Sequence, residues 1–297
     1  MYSYMNKNNQ SIGSGNMTYL VTGATGGFGH YALEELKKLV PLEEIYVLAR
    51  NEEKAQKLIE AGLQVRIGDY ADRETMVQAL QGIDRLLFVS GVPGNRQAEH
   101  QHVVEAIKET GVSFIAYTSF ADADHSTSIL APDHQFTEKI IKESGIKHTF
   151  LRNNWYLENE MPLIGVALKT GQFVYAAGEG KTGWALKREY AEVAAKVLAG
   201  MDYPEVLELS GKPITYQALA EQVAKVSGKS LDILSLAPDE FTDKLTASGF
   251  SQGGAEMTTA IQNDIRNNQL DVTSDDFEKV LGRELTSIED GLRELGI

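Results

Sequence analysis

The stretch from Thr18 to Gly29, Thr-Tyr-Leu-Val-Thr-Gly-Ala-Thr-Gly-Gly-Phe-Gly, constrains the fold of this chain more than any other. A short apolar run (Tyr19, Leu20, Val21) stops at glycine, and Gly23, Gly26 and Gly29 then recur at every third position. An amphipathic segment follows, with Phe28, Ala32, Leu33, Leu36 and Leu39 on one face. The pattern predicts a strand, a tight glycine turn and a helix. A helix start offers unpaired backbone N–H groups and the positive end of its dipole, and glycines let that backbone approach a ligand without an intervening Cβ. The arrangement favours the diphosphate of a dinucleotide.

The rest of the first half repeats the alternation. Strands are expected at 44–49, 63–67, 84–90, 113–119 and 146–151, with helices between them and glycines at the helix ends. Strands alternating with helices at this spacing predict an α/β fold, a doubly wound parallel Rossmann sheet with ligands at the rim of strand C-termini. Regularity weakens after Leu151, so a smaller C-terminal α/β lobe is expected to form one wall of a cleft. The expected division is a flexible extension at 1–16, a dinucleotide-binding domain at 17–155 and a substrate lobe at 156–297, with some later segments free to rejoin the sheet. The formal net charge of −14 argues against nonspecific nucleic-acid binding, and no apolar run approaches membrane-spanning length. The chain has no cysteine, which excludes disulfides and thiolate chemistry and fits a reducing cytoplasm. No metal site is expected, and a homo-oligomer is compatible with the sequence.

Several rim positions carry candidate chemistry. Arg50 ends the second strand where an NAD site usually has an acid, and Lys54 lies one turn later. A guanidinium pairs with a 2′-phosphate, so NADPH is favoured over NADH. Asp69 suits an adenine amino group or a helix N-cap equally well. Ser90 suits the ribose or a simple turn. Ser119 ends the fifth strand where nicotinamide or substrate is expected, and Lys139 on the next helix can face the cofactor ribose. The run Leu151-Arg-Asn-Asn-Trp-Tyr156 brings amides, an indole and a phenol to the rim. It suits a flat, polar-edged ring such as nicotinamide or a quinone, or else an aromatic cover over the lobe junction. The segment Gly178-Glu-Gly-Lys181 and Lys187 are placed to close over the site.

With these residues in view, the chain resembles the NmrA-like atypical short-chain dehydrogenase/reductases, and among them the type 2 NAD(P)H:quinone oxidoreductases. The resemblance rests on Thr22-Gly-Ala-Thr-Gly-Gly-Phe-Gly-His30, Phe114-Ile-Ala-Tyr-Thr-Ser119, Thr137-Glu-Lys139, the run at 151–156 and Ala176-Ala-Gly-Glu-Gly-Lys181. It implies NADPH contacts at Gly23, Thr25, Gly26, Gly27, Phe28, Gly29, Arg50, Asn153, Trp155 and Tyr156, and hydride transfer to a quinone. Substrate contacts are expected at Ser119, Asn154 and Tyr156, and Lys139 and Tyr156 are the polar candidates nearest the chemistry. One departure matters. Typical short-chain dehydrogenases use Tyr-x-x-x-Lys, whereas here Gln135 stands four residues before Lys139. Glutamine cannot serve as the acid, so ordinary ketone chemistry is not expected. A quinone is more forgiving, because its reduced anion is far easier to protonate than an alkoxide. The alternative is a noncatalytic NADP(H)-sensing regulator, a type the same family includes.

Overall fold

The computed structural model describes residues 17–297. The extension expected at 1–16 lies outside the described residues. The first half runs β1 (Tyr19–Val21), α1 (Gly27–Leu36), β2 (Ile45–Ala49), α2 (Glu52–Glu60), β3 (Gln64–Ile67), α3 (Arg73–Leu80), β4 (Arg85–Phe88), α4 (Arg96–Thr110), β5 (Phe114–Phe120), α5 (Ala131–Ser144) and β6 (Lys147–Asn153). The second half adds α6 (Met161–Thr170), β7 (Gln172–Tyr175), β8 (Lys181–Thr182), α7 (Lys187–Ala199), β9 (Val206–Leu209), β10 (Ile214–Thr215), α8 (Tyr216–Ser227) and β11 (Asp232–Ser235). It ends with α9 (Pro238–Ala247), α10 (Gln252–Arg266), α11 (Asp276–Leu281) and α12 (Ile288–Glu294).

Seven strands form one sheet in the order β3-β2-β1-β4-β5-β6-β9, every neighbouring pair parallel. The order reverses between β1 and β4, which opens the crevice where α/β sheets take ligands. Central strands read as continuous apolar runs because both sheet faces are covered. On one face, Val21, Val47, Ala116 and Leu151 pack with Leu33 of α1, with Ala191, Ala194 and Ala195 of α7, and with Phe277 of α11. On the other, Leu20, Leu86, Ile115 and Phe150 pack with α3, α4 and Ile141 of α5. The sheet layer therefore draws α7, β9 and α11 from beyond residue 156. The alanines of α7 let it lie close against α1.

A third apolar cluster belongs to the smaller lobe and includes Phe173, Tyr175, Trp184, Tyr216, Leu219, Phe241 and Ile265. Two short ribbons, β7 with β11 and β8 with β10, stiffen it. Thr215 caps α8 by accepting from the N–H of Ala218 at 3.2 Å. The short β8–β10 pair has too few residues to announce itself in the sequence.

Candidate active site

The glycine turn sets the geometry. Gly23 has φ of +65°, a conformation that favours glycine. A Cβ on Gly29 would stand 2.1 Å from the carbonyl oxygen of Gly23, so α1 can follow β1 this closely only with glycine there. Thr25, Gly26 and Gly27 are exposed, although Ala24 and Phe28 beside them are buried. The N-terminus of α1 has no side-chain cap and no acid in its first turn. By contrast, Asn51 caps α2 and Asp72 caps α3. The first N–H groups of α1 thus have no side-chain acceptor, at a turn whose Thr25, Gly26 and Gly27 are exposed.

Two side chains close on this turn. A Cβ on Gly27 would lie 3.7 Å from Nζ of Lys187, so the ammonium hangs over the turn. Lys187 is held because its own backbone N–H donates to both carboxylate oxygens of Glu158, at 3.0 and 3.1 Å. The Tyr156 ring stacks on Phe28 at 6.2 Å between centroids, and Nζ of Lys187 sits 5.5 Å over the Tyr156 ring. The Tyr156 hydroxyl accepts from Nδ2 of Asn153 at 3.1 Å, and burial raises its pKa. The carbonyl Oδ1 of Asn153 is buried without a partner. Gly23, Thr25, Gly26, Gly27, Phe28, Gly29, Asn153, Tyr156 and Lys187 are thereby brought together.

Other expected site residues fall elsewhere. Arg50 is exposed at the end of β2, and one Asp69 oxygen accepts from the N–H of Ala71 at 2.9 Å, closing a local turn. Ser90 stands at the rim, its N–H donating to Oγ1 of Thr118 at 2.8 Å. Ser119 points to the opposite sheet face, where its hydroxyl donates to Glu138 at 2.6 Å. That carboxylate is also paired with Arg152 at 2.7 Å, and both side chains are buried. Lys139 does not reach the turn; its side chain is 71% exposed, with Glu143 at 3.8 Å. Gln135 gives both amide hydrogens to backbone, at Ala123 and Ser126. Asn154 is committed to the smaller lobe, donating to Oγ of Ser210 and the carbonyl of Leu270. Trp155 turns the same way, its Nε1 donating to Glu160 at 3.1 Å. Alternation at the end of β6 separates Asn153, on the turn side, from Asn154, on the lobe side, and because the strand stops at Asn153 the next residue, Trp155, is free to follow Asn154.

The Gly178–Lys181 segment does not close over the turn as expected. Gly180 lies against α10, where a Cβ would stand 2.0 Å from the carbonyl oxygen of Ile265. In the loop at 122–125, Asp124 and His125 are exposed, and Asp124 pairs with Arg152 at 2.9 Å. Sequence reasoning missed Tyr70, whose hydroxyl donates to Oγ1 of Thr22 at 2.6 Å and bridges to the carbonyl of Val89, bracing β1 against β4. Its place just after Gly68-Asp69 on the rim was the available signal. It also missed Glu158 and Glu160, which carry no motif.

A protein-family model described as NAD(P)H-binding matches residues 23–201. Quinone oxidoreductase 2 of Escherichia coli is 38% identical over 278 residues, which cover 93% of this chain and 97% of that protein. The crystal structure of an E. coli NADPH-dependent quinone oxidoreductase complexed with NADPH superimposes with a TM-score of 0.89, covering 94% of this chain and 99% of that one. The triphenylmethane reductase of a Citrobacter species, complexed with NADP(H), also gives 0.89 at 33% identity, with coverage of 94% and 99%. The open turn, the lysine over it and the tyrosine-free α5 are thus found in a chain that belongs to the NAD(P)H-binding, NmrA-like family that includes quinone oxidoreductase 2.

Proposed function

We propose that this protein is an NADPH-dependent oxidoreductase that passes a hydride to a quinone. The observation that carries the reading is the exposed, uncapped start of α1 with the Lys187 ammonium above it, in a chain 38% identical to a quinone oxidoreductase along nearly its whole length. The chemistry that NADPH supplies when bound is hydride donation. The free N–H groups of α1 suit the diphosphate, and Lys187 adds a positive charge there. Arg50, exposed at the end of β2, is the residue for a 2′-phosphate. Asn153, whose amide N–H donates to the Tyr156 hydroxyl, leaves its Oδ1 unpaired, and that oxygen suits the amide of a nicotinamide.

The smaller lobe supplies the acceptor side. It is built from residues 157–186 and 210–275 with the C-terminal segment, and it meets the sheet at Asn154, Trp155 and Tyr156. The position of the acid of typical short-chain dehydrogenases holds Gln135, whose amide is spent on backbone carbonyls. The site therefore favours an acceptor that needs positioning rather than a strong acid, which is a property of quinones. No helix among the described residues is long and apolar enough to cross a membrane, and a chain without cysteine is compatible with a reducing cytoplasm. Steady-state oxidation of NADPH with a simple benzoquinone tests the reading. Turnover that requires both partners is expected; a purified protein that binds NADPH but reduces no quinone would overturn it.

A further inference from the structure

Both tryptophans of this chain donate to the same atom. Nε1 of Trp155 and Nε1 of Trp184 each reach Oε1 of Glu160 at 3.1 Å, and the Tyr216 hydroxyl reaches that oxygen at 2.8 Å. Glu160 is 4% exposed, and its carboxyl forms no ion pair with the described residues. The three donors come from three places: the end of β6, the segment leading into α7, and α8 of the smaller lobe. An unpaired buried carboxyl is costly, and a well-packed apolar residue could fill the same volume at less cost.

The segments that carry the two indoles also carry the residues over the glycine turn. Tyr156 bridges to Ala185 in parallel, with Ala185 N–H donating to Trp155 and Leu157 N–H donating to Ala185. Trp155 and Trp184 thus turn to Glu160 on the lobe side. Their neighbours Tyr156 and Lys187 turn to Phe28 and Gly27 on the cofactor side. We propose that Glu160 is a positioning residue: one carboxyl oxygen holds these paired segments in register and so sets how Tyr156 and Lys187 approach the glycine turn. The proposal rests on reading that turn as the NADPH site.

Burial pushes the Glu160 carboxyl up to about 7, the three hydrogen bonds opposing the rise. Tyr216 on α8 is the one titratable group bonded to it, itself raised well above its ordinary value, while the donors from the end of β6 and the lead into α7 do not titrate. The carboxyl is thus raised toward neutral pH while in direct contact with both tryptophans.

The test uses intrinsic tryptophan emission and NADPH affinity in the full chain, neither of which needs an electron acceptor. Wild-type emission is expected to titrate near neutral pH, and Glu160→Gln, which keeps an acceptor oxygen but no proton, is expected to be flat there with NADPH affinity within about twofold. Glu160→Ala orphans three donors and is expected to weaken NADPH binding roughly tenfold with a shift of emission to longer wavelength. Trp184→Phe keeps an aromatic ring, though a smaller one, and deletes the donor on the Lys187 segment, so about threefold weaker binding is expected even if the alanine variant does not fold. Neutral-pH titration that persists in Glu160→Gln, or NADPH affinity unchanged in Trp184→Phe, overturns the proposal. A wild-type protein that reduces no quinone overturns the proposed function and leaves these measurements intact.

Discussion

The β1–α1 turn and the β5–α5 segment lie on the same rim, yet their polar groups are in opposite states. At the first, the helix start is uncapped, Thr25, Gly26 and Gly27 face solvent, and Asn153 Oδ1 has no partner. At the second, Ser119, Glu138 and Arg152 satisfy one another in the interior, and Gln135 is bonded to two backbone carbonyls. Buried polar groups are ordinarily paired, so an unpaired set marks where a ligand belongs and a paired set marks architecture. On the proposed function, the rim keeps the cofactor-binding half of a dehydrogenase site open. The half where such enzymes usually keep their acid is closed on itself.

The open half is the place to break that comparison first. Gly29→Ala puts a Cβ into the Gly23 carbonyl, a backbone contact that cannot move aside. A loss of roughly 5 kcal/mol in stability is expected, with NADPH binding undetectable in whatever remains folded. Chemical denaturation and NADPH titration read both, and an alanine variant that binds normally would mean the turn is not the cradle.

Breaking the closed half should hurt the fold and spare the ligand. Glu138→Ala leaves Arg152 with its main buried partner gone, although Asp124 and Glu208 still touch it at 2.9 and 3.1 Å. The expected cost is about 3 kcal/mol of stability, with NADPH affinity within about twofold. A variant with unchanged stability and a large loss of NADPH affinity would reverse the roles assigned to the two regions.

Two cations sharpen the open half. Lys187→Ala removes the ammonium over the turn and is expected to weaken NADPH binding about tenfold, less at high salt. Arg50→Ala should reduce the preference for NADPH over NADH by roughly fivefold while leaving NADH affinity alone, because only the 2′-phosphate is lost as a partner. Isothermal titration with both cofactors separates the two effects. Equal losses for NADPH and NADH in Arg50→Ala would remove that residue from phosphate recognition.

What the sequence showed and what it hid follow from the range of each interaction. The turn at 18–29 is local, and its strand, glycines and helix are contiguous, so periodicity and backbone chemistry were enough. The caps at Gly111 and Gly145 were legible for the same reason, each glycine taking a left-handed φ at a helix end. Trp155 and Asn154 were assigned to the cleft because they neighbour Asn153 and Tyr156, but β6 ends at Asn153 and the chain beyond it turns both side chains into the smaller lobe. Their partners, Glu160, Ser210 and Leu270, are set by tertiary packing. Gly180 reads as a flexible ligand loop until α10, some eighty residues later, is seen against it. Glu158 and Glu160 belong to no motif, and only the folded chain shows that one caps α7 and the other gathers both indoles.

Lys139 carries the smallest expected effect and the cleanest distinction. The Tyr-x-x-x-Lys pattern assigns its lysine to the cofactor ribose and to lowering the pKa of a tyrosine. Here the tyrosine position is Gln135, so the second task has no object. The ammonium is in solvent beside Glu143 rather than at the turn, so the first has no geometry. An exposed pair of this kind contributes little to stability, and no part of the open half depends on it. Lys139→Ala is therefore expected to keep kcat/KM with NADPH and benzoquinone within about twofold of wild type. A loss of a hundredfold or more, roughly 3 kcal/mol of transition-state stabilisation, would show that α5 still serves the chemistry and that the rim is not divided as its hydrogen bonds divide it.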